Sequence, residues 1–205
     1  MDFLTFKERM YPMGCFSINQ VLLWETDFDR NNLTRWCQKG LLVKLRNQYY
    51  AFPEYRQVPD FSRYVANRIY APSYVSLHSA LSFYGMIPEE VVHTTSVTTL
   101  KTARFNNAFG TFHYQNVKPT FFFGYEIKLM RDRRGVLFAT PEKALLDLLY
   151  LNPFYKTEQD MEDLRLDEDY MQSEFDCQRM AAYLEKTGSK TLEKRVRILL
   201  KVYGL

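Results

Sequence analysis

The chain is poor in several residues whose abundance would settle its class at once. It has three cysteines in 205 residues, Cys15, Cys37 and Cys177, odd in number and far apart. That excludes a disulfide framework and fits a reducing cytosol. Cys37 falls on a helical apolar pattern, as a small buried hydrophobe would. Three histidines, His78, His93 and His113, sit at no metal-ligand spacing with cysteine or acids, so no metal is expected. The eight glycines are scattered, which excludes a glycine loop cradling a phosphate, and no nucleophile elbow occurs. No apolar run approaches the roughly 18 residues of a membrane helix. The densest stretches, 120–129 and 144–151, are interrupted by Gly, Glu, Lys or Asp. Met1-Asp2-Phe3-Leu4-Thr5-Phe6-Lys7-Glu8-Arg9, with an acid at position 2, fits no secretory signal. The expectation is a cytoplasmic protein with no cofactor, no membrane and no small-molecule substrate.

Aromatic side chains are plentiful: 16 Phe and 15 Tyr, 16% of the chain with tryptophan. Each buries a large area, so a substantial core is feasible. The net charge of +3 is a remainder after blocks cancel. Residues 101–135 hold seven Lys/Arg against two acids, residues 157–177 nine acids against one Arg, and residues 178–205 seven Lys/Arg against two acids. Such blocks are either solvated faces that pair internally or separate docking surfaces. Lys101, Arg104, Arg131, Arg133 and Arg134 form the candidate basic docking surface.

Residues 1–56 have the pattern of a winged helix. A first helix runs from about Asp2 to Met10 and stops before Pro12. Ser17 caps a second, 18–24. Asp27 or Asp29 caps a third, in which Leu33, Trp36 and Cys37 form one core stripe and Gly40 marks the stop. Two strands follow around a turn at Arg46-Asn47, where Asn47 tolerates the left-handed conformation of a tight hairpin. On this plan the third helix enters the major groove. Its outer face offers Arg30, Asn31, Thr34, Arg35 and Gln38, side chains suited to base edges and phosphates, and Lys44 and Arg46 on the wing would meet the backbone or minor groove.

Residues 57–205 read as an α+β domain: a helix at 61–69, a second capped by Ser76, a β-rich stretch, and helices to the end. Strand candidates are 91–99, 111–117, 120–129 and 135–139, which suggests a small, mainly antiparallel sheet. Thr140-Pro141-Glu142 opens a helix, with a cap, a proline in the first turn and an acid at the positive end. Glu126-Ile127-Lys128 has the E-x-K spacing of some metal-dependent nucleases. That chemistry requires a further upstream acid, and between 61 and 125 the acids are Glu89 and Glu90 alone. The alternative reading of Glu126 and Lys128 is a charge pair on a strand.

Three strings carry a resemblance. They are Cys37-Gln38-Lys39-Gly40-Leu41-Leu42 with Arg46-Asn47-Gln48-Tyr49-Tyr50-Ala51, then Ala66-Asn67-Arg68-Ile69-Tyr70-Ala71-Pro72-Ser73-Tyr74-Val75-Ser76-Leu77 running through Ser79-Ala80-Leu81 into Tyr84-Gly85-Met86-Ile87-Pro88, and Ala139-Thr140-Pro141-Glu142-Lys143-Ala144-Leu145-Leu146-Asp147-Leu148-Leu149-Tyr150. Together they make residues 14–155 resemble the antitoxins of abortive-infection (AbiE) type IV toxin–antitoxin systems. The resemblance implies a winged helix at 1–56 that binds operator DNA and represses its own operon, and a domain at 57–205 that counteracts a nucleotidyltransferase-like toxin. It assigns DNA reading to Arg30, Asn31, Thr34, Arg35, Gln38, Lys44 and Arg46, and no catalytic role to Pro141-Glu142-Lys143. The family's wing often has Gly where Asn47 stands. Beyond Lys156 no family string is present. Two other classes compete: a winged helix that binds only protein, and a metal-dependent nuclease using Glu126 and Lys128.

Overall fold

A computed structural model describes residues 1–89 and 91–205, and shows an α+β fold with ten α-helices and two sheets among the described residues. The N-terminal elements follow from local capping chemistry. Helix α1 (Phe3–Met10) starts at Asp2, whose carboxylate accepts from the amides of Leu4 at 2.9 Å and Thr5 at 3.1 Å. The Thr5 amide, above all, holds this carboxyl below its ordinary range. Strand β1 (Cys15–Ser17) leads into α2 (Ile18–Trp24) through a reciprocal cap. The Gln20 amide donates to Ser17 Oγ and the Ser17 amide to Gln20 Oε1, at 3.3 and 2.8 Å. Ser17→Ala is expected to cost about 1 kcal/mol, read from the denaturant midpoint with an unchanged slope; no change in midpoint would show the cap to be idle.

Helix α3 (Asn31–Gln38) is closed by Gly40 at φ 71°, with the Leu41 amide donating back to the Trp36 carbonyl at 2.9 Å. Strands β2 (Val43–Arg46) and β3 (Tyr49–Ala51) make the hairpin. The left-handed residue of its turn is Gln48, at φ 69°, and not Asn47 as expected. The register slips between Lys44 and Arg46, so the extra residue displaces the kink by one position. The three strands pair antiparallel in the order β1-β3-β2.

Helix α4 (Phe61–Ile69) runs beneath these elements. One core includes Phe6, Phe16, Phe28, Leu33, Trp36 and Phe52 from the N-terminal elements, Val65, Ala66 and Ile69 from α4, and Phe112 and Tyr114 from the strand β7 (Gly110–Asn116). The hydroxyl of Tyr114 donates to the Ala66 carbonyl at 2.8 Å. The N-terminal elements thus lie on α4, and α4 lies on one face of the larger sheet.

That sheet comprises β4 (Ser73–Val75), β5 (Thr94–Thr98), β6 (Ala103–Asn107), β7, β8 (Tyr125–Leu129) and β9 (Gly135–Ala139), in the order β6-β7-β5-β4-β9-β8. It is larger and more mixed than expected: β5–β7 and β4–β9 are parallel, and the other three pairings antiparallel. The short strand β4, without a sequence signal of its own, sits at the centre, and it turns two hairpin-like segments into one mixed sheet. Helix α5 (Leu77–Phe83) and the almost wholly buried α6 (Pro141–Leu151) pack against it, and α7 (Glu158–Glu162), α8 (Glu168–Ser173), α9 (Cys177–Thr187) and α10 (Lys190–Val202) close the second core. Acids of the 157–177 block are spent locally. Asp160 completes the capping box that Thr157 opens on α7, Asp167 and Asp176 cap α8 and α9, and Glu158 pairs with Lys201 of the following basic block at 2.5 Å. No helix among the described residues is long and apolar enough to cross a membrane.

Candidate nucleic-acid interface

The outer face of α3 is built by helical spacing. Leu33 and Trp36 point inward and are buried, which leaves Asn31, Thr34, Arg35 and Gln38, at i, i+3, i+4 and i+7, as one exposed stripe. Eight residues at 1.5 Å each span about 12 Å, the width of a B-form major groove. Arg30 is exposed just before the helix. Asp29 prepares the stripe. One carboxylate oxygen accepts the Asn31 amide at 2.9 Å, and the other pairs with Arg35 at 3.0 Å. Arg35 also donates to Asn32 Oδ1 at 2.8 Å, so its guanidinium is held near the N-terminal end of the helix. Behind the stripe, burial pushes the Cys37 thiol up, against the pull of nearby Lys44, which keeps it a neutral thiol.

The two hairpin cations part company. Lys44 is exposed on β2. Arg46, by contrast, is committed: it donates to the Ile69 carbonyl at 2.7 Å, and its guanidinium lies 4.8 Å from the Tyr70 ring and 4.6 Å from that of Phe105. Arg46, expected to contact DNA, is held here in a contact that fastens the hairpin to α4 and β6. Asn107 adds a second tie, donating to the Leu45 carbonyl at 3.1 Å.

The five residues of the candidate basic docking surface do not come together. Lys101 and Arg104 lie beside and on the edge strand β6, whereas Arg131, Arg133 and Arg134 lie in the β8–β9 turn at the opposite edge, roughly 24 Å away at the ordinary strand spacing. Arg134 is also no surface cation. It pairs with Asp132, donates to the Pro12 carbonyl at 3.2 Å and to the Tyr55 hydroxyl at 2.8 Å, and stacks over Tyr55, Phe61 and Tyr64. Gly14, at φ 67°, makes room for it, since a Cβ there would stand 2.8 Å from Arg134 Nε. The expected single basic surface is thus replaced by two separated pairs, Lys101 with Arg104 and Arg131 with Arg133, plus an internal clamp.

Glu126 and Lys128 share one face of β8 and pair with each other at 2.6 Å. Among the described residues, no group of three His, Cys, Asp or Glu side chains could hold a metal ion. Glu89 pairs with Arg165 at 3.3 Å; Glu90 lies outside the described residues.

A polar cluster not foreseen from the sequence sits at the heart of the second core. Lys143 and Asp147, one turn apart on α6, are fully buried and form an ion pair. Asp147 Oδ2 accepts from the hydroxyls of Tyr74 at 3.0 Å and Ser76 at 2.7 Å, and Lys143 Nζ donates to Tyr74 at 2.9 Å. The ammonium also faces the Phe121 ring at 4.4 Å. Burial pushes Lys143 down and Asp147 up, and the charge of each opposes the shift of the other. Burial, followed by the Asp147 charge, raises the Tyr74 phenol well above its ordinary value. Ser76 stands at the start of α5 but makes no cap bond; its hydroxyl serves Asp147. Gly124, at φ 71°, admits the lysine stem, as a Cβ there would lie 2.9 Å from Lys143 Cγ. The signal available in the sequence was a Lys and an Asp at i and i+4 in a run of leucines. The cluster is enclosed and joins the second and third strings described above. In comparisons with known proteins, the chain matches no family model and no curated sequence.

Proposed function

We propose that this chain is a DNA-binding antitoxin of the abortive-infection (AbiE) type IV kind, a cytoplasmic autorepressor that reads its operator through a winged helix at residues 1–56 and counteracts a nucleotidyltransferase-like toxin through residues 57–205. The observation that carries the DNA-binding part is the exposed polar stripe of α3 within an α1-β1-α2-α3-β2-β3 order whose strands pair β1-β3-β2. This order and pairing support the reading of a winged helix that presents its third helix to a groove. The reading takes Arg30, Asn31, Thr34, Arg35, Gln38 and Lys44 as the DNA-contacting set, with Arg46 holding the wing. The antitoxin part rests on the resemblance of the three strings, two of which meet in the Tyr74–Ser76–Lys143–Asp147 cluster.

The direct test is a gel shift with the DNA upstream of the chain's own coding sequence. A retarded complex that weakens steeply as salt is raised is expected. Absence of a complex at low salt would overturn the repressor reading. Co-expression with a neighbouring nucleotidyltransferase-like gene tests the second activity, and continued growth arrest despite the chain would refute it.

A further inference from the structure

The two edges of the larger sheet are treated differently. At one edge, β6 is covered by the N-terminal hairpin through Asn107 and Arg46. At the other, β8 has β9 on one side and no further strand beyond it among the described residues. Open edges normally carry a device against pairing with another chain, such as an inward-pointing charge, a proline or a bulge. Strand β8 has no proline and no bulge, and its two charged residues, Glu126 and Lys128, on the face shared with buried Val136 and Phe138, neutralise each other as a pair. It presents Tyr125, Ile127 and Leu129 on one face, the last two 67% and 72% exposed, and Glu126 and Lys128 on the other.

The hydrogen-bond parity shows which backbone groups are free. In the β8–β9 pairing Ile127 stands opposite Leu137. The ladder continues past both ends of the strand, where the Thr140 amide donates to the Gly124 carbonyl at 3.0 Å and the Met130 amide to the Arg134 carbonyl at 2.9 Å. Hydrogen-bonded pairs alternate in an antiparallel ladder, so Glu126 and Lys128 bond to β9 and Tyr125, Ile127 and Leu129 do not. Leu137 agrees: both its backbone groups are used on the other side, its amide donating to Asn67 Oδ1 at 2.5 Å and its carbonyl accepting from Asn67 Nδ2 at 3.4 Å. The N–H and C=O groups of Tyr125, Ile127 and Leu129 therefore point out from the sheet edge.

The geometry points to a second copy of this chain as the occupant of that edge, paired antiparallel about a two-fold axis at Ile127. In this register Ile127 faces Ile127 of the second copy, Tyr125 faces Leu129, and Glu126 faces Lys128 of the second copy, with each relation repeated by symmetry. The outward-pointing residues are those that form the hydrogen-bonded pairs, about six bonds in all. The apolar stripes of both copies lie on one face of the joined sheet. On the other, each carboxylate comes between two ammonium groups, its own and its neighbour's. The segment Tyr125-Glu126-Ile127-Lys128-Leu129 is thus complementary to itself in one antiparallel register. This inference goes beyond DNA binding and does not depend on it.

The test is light scattering coupled to size exclusion on the full chain, from about 1 to about 100 µM. The wild type is expected to move from monomer mass toward dimer mass across that range. Glu126→Lys and Lys128→Glu, each checked for an unchanged melting temperature, place like charges opposite one another and should each weaken self-association by on the order of tenfold. Mixing the two should give a heterodimer, and the doubly exchanged chain should dimerise like the wild type. Ile127→Lys, which places like charges at the axis, should remain a monomer. A wild type that stays monomeric throughout, or an Ile127→Lys variant that still dimerises, would overturn the proposal. So would a doubly exchanged chain as weak as either single variant.

Discussion

Asp147→Ala is expected to lower stability by about 3–5 kcal/mol, the usual result of stranding one member of a buried ion pair. Lys143 has no exposed surface and, among the described residues, no carboxylate partner other than Asp147, and Tyr74 and Ser76 lose the acceptor they share. Against a total of about 5–15 kcal/mol, that loss takes most variants of a domain this size close to unfolding. Lys143→Met should be damaging for the converse reason, though Asp147 then keeps two hydroxyl donors. The double change Lys143→Met with Asp147→Leu removes both charges together and should recover most of the loss, because the burial penalty of the ions disappears with their attraction. Denaturant titrations of the wild type, Lys143→Met, Asp147→Leu and the double variant give the coupling directly; additive single effects would show the pair to be independent. The pH dependence has a definite sign. Lys143 is pushed down by burial, so between its folded value and about 10.4 the unfolded chain holds a proton that the folded chain has released, and stability rises with pH in that window. Asp147 is pushed up, so its contribution is full below about 3.9 and is lost as pH rises through its folded value, the opposite of an acid-unfolding trigger. Relative to the double variant, the wild type should gain stability over the alkaline window.

The second large effect follows from the proposed operator binding. Arg30→Ala, Arg35→Ala and Lys44→Ala combined should weaken operator binding on the order of 100-fold and lower the slope of log affinity against log salt by roughly 0.9 for each phosphate contact removed. Arg46→Ala provides the contrast. Its guanidinium is already bonded to Ile69 and stacked on Tyr70 and Phe105, so its loss should lower stability by about 1.5–3 kcal/mol and leave the salt slope unchanged. Should Arg46→Ala flatten the slope while the triple variant does not, the DNA-contacting set would be wrongly assigned.

Why Arg35 and Arg46 separate in this way also explains what was legible in the sequence. Helix starts at Asp2, Ser17 and Thr140 are set by a side chain bonding an amide two or three residues away, so they can be read locally. The stripe on α3 is likewise local, because it follows from 3.6 residues per turn. Strands β1 and β4, three residues each, exist only through partners distant in the chain, and no periodicity announces them. Ser76 occupies a cap position, yet its hydroxyl is taken by Asp147, far along the chain. Arg46 looks like a wing cation until Tyr70 and Phe105 close around it. In each case the competing partner comes from tertiary structure, which local pattern does not encode.

The core shared by the N-terminal helices, α4 and β7 has a practical consequence. Cutting the chain after residue 56 would strip Phe61, Val65, Ala66, Ile69, Phe112 and Tyr114 from the apolar interior that Phe6, Phe16 and Phe52 occupy. Helix α3 is therefore not a detachable head. It should melt in one cooperative transition with the sheet beneath it, and on the proposed reading operator affinity should fall with damage in β7 as well as with damage in the helix itself.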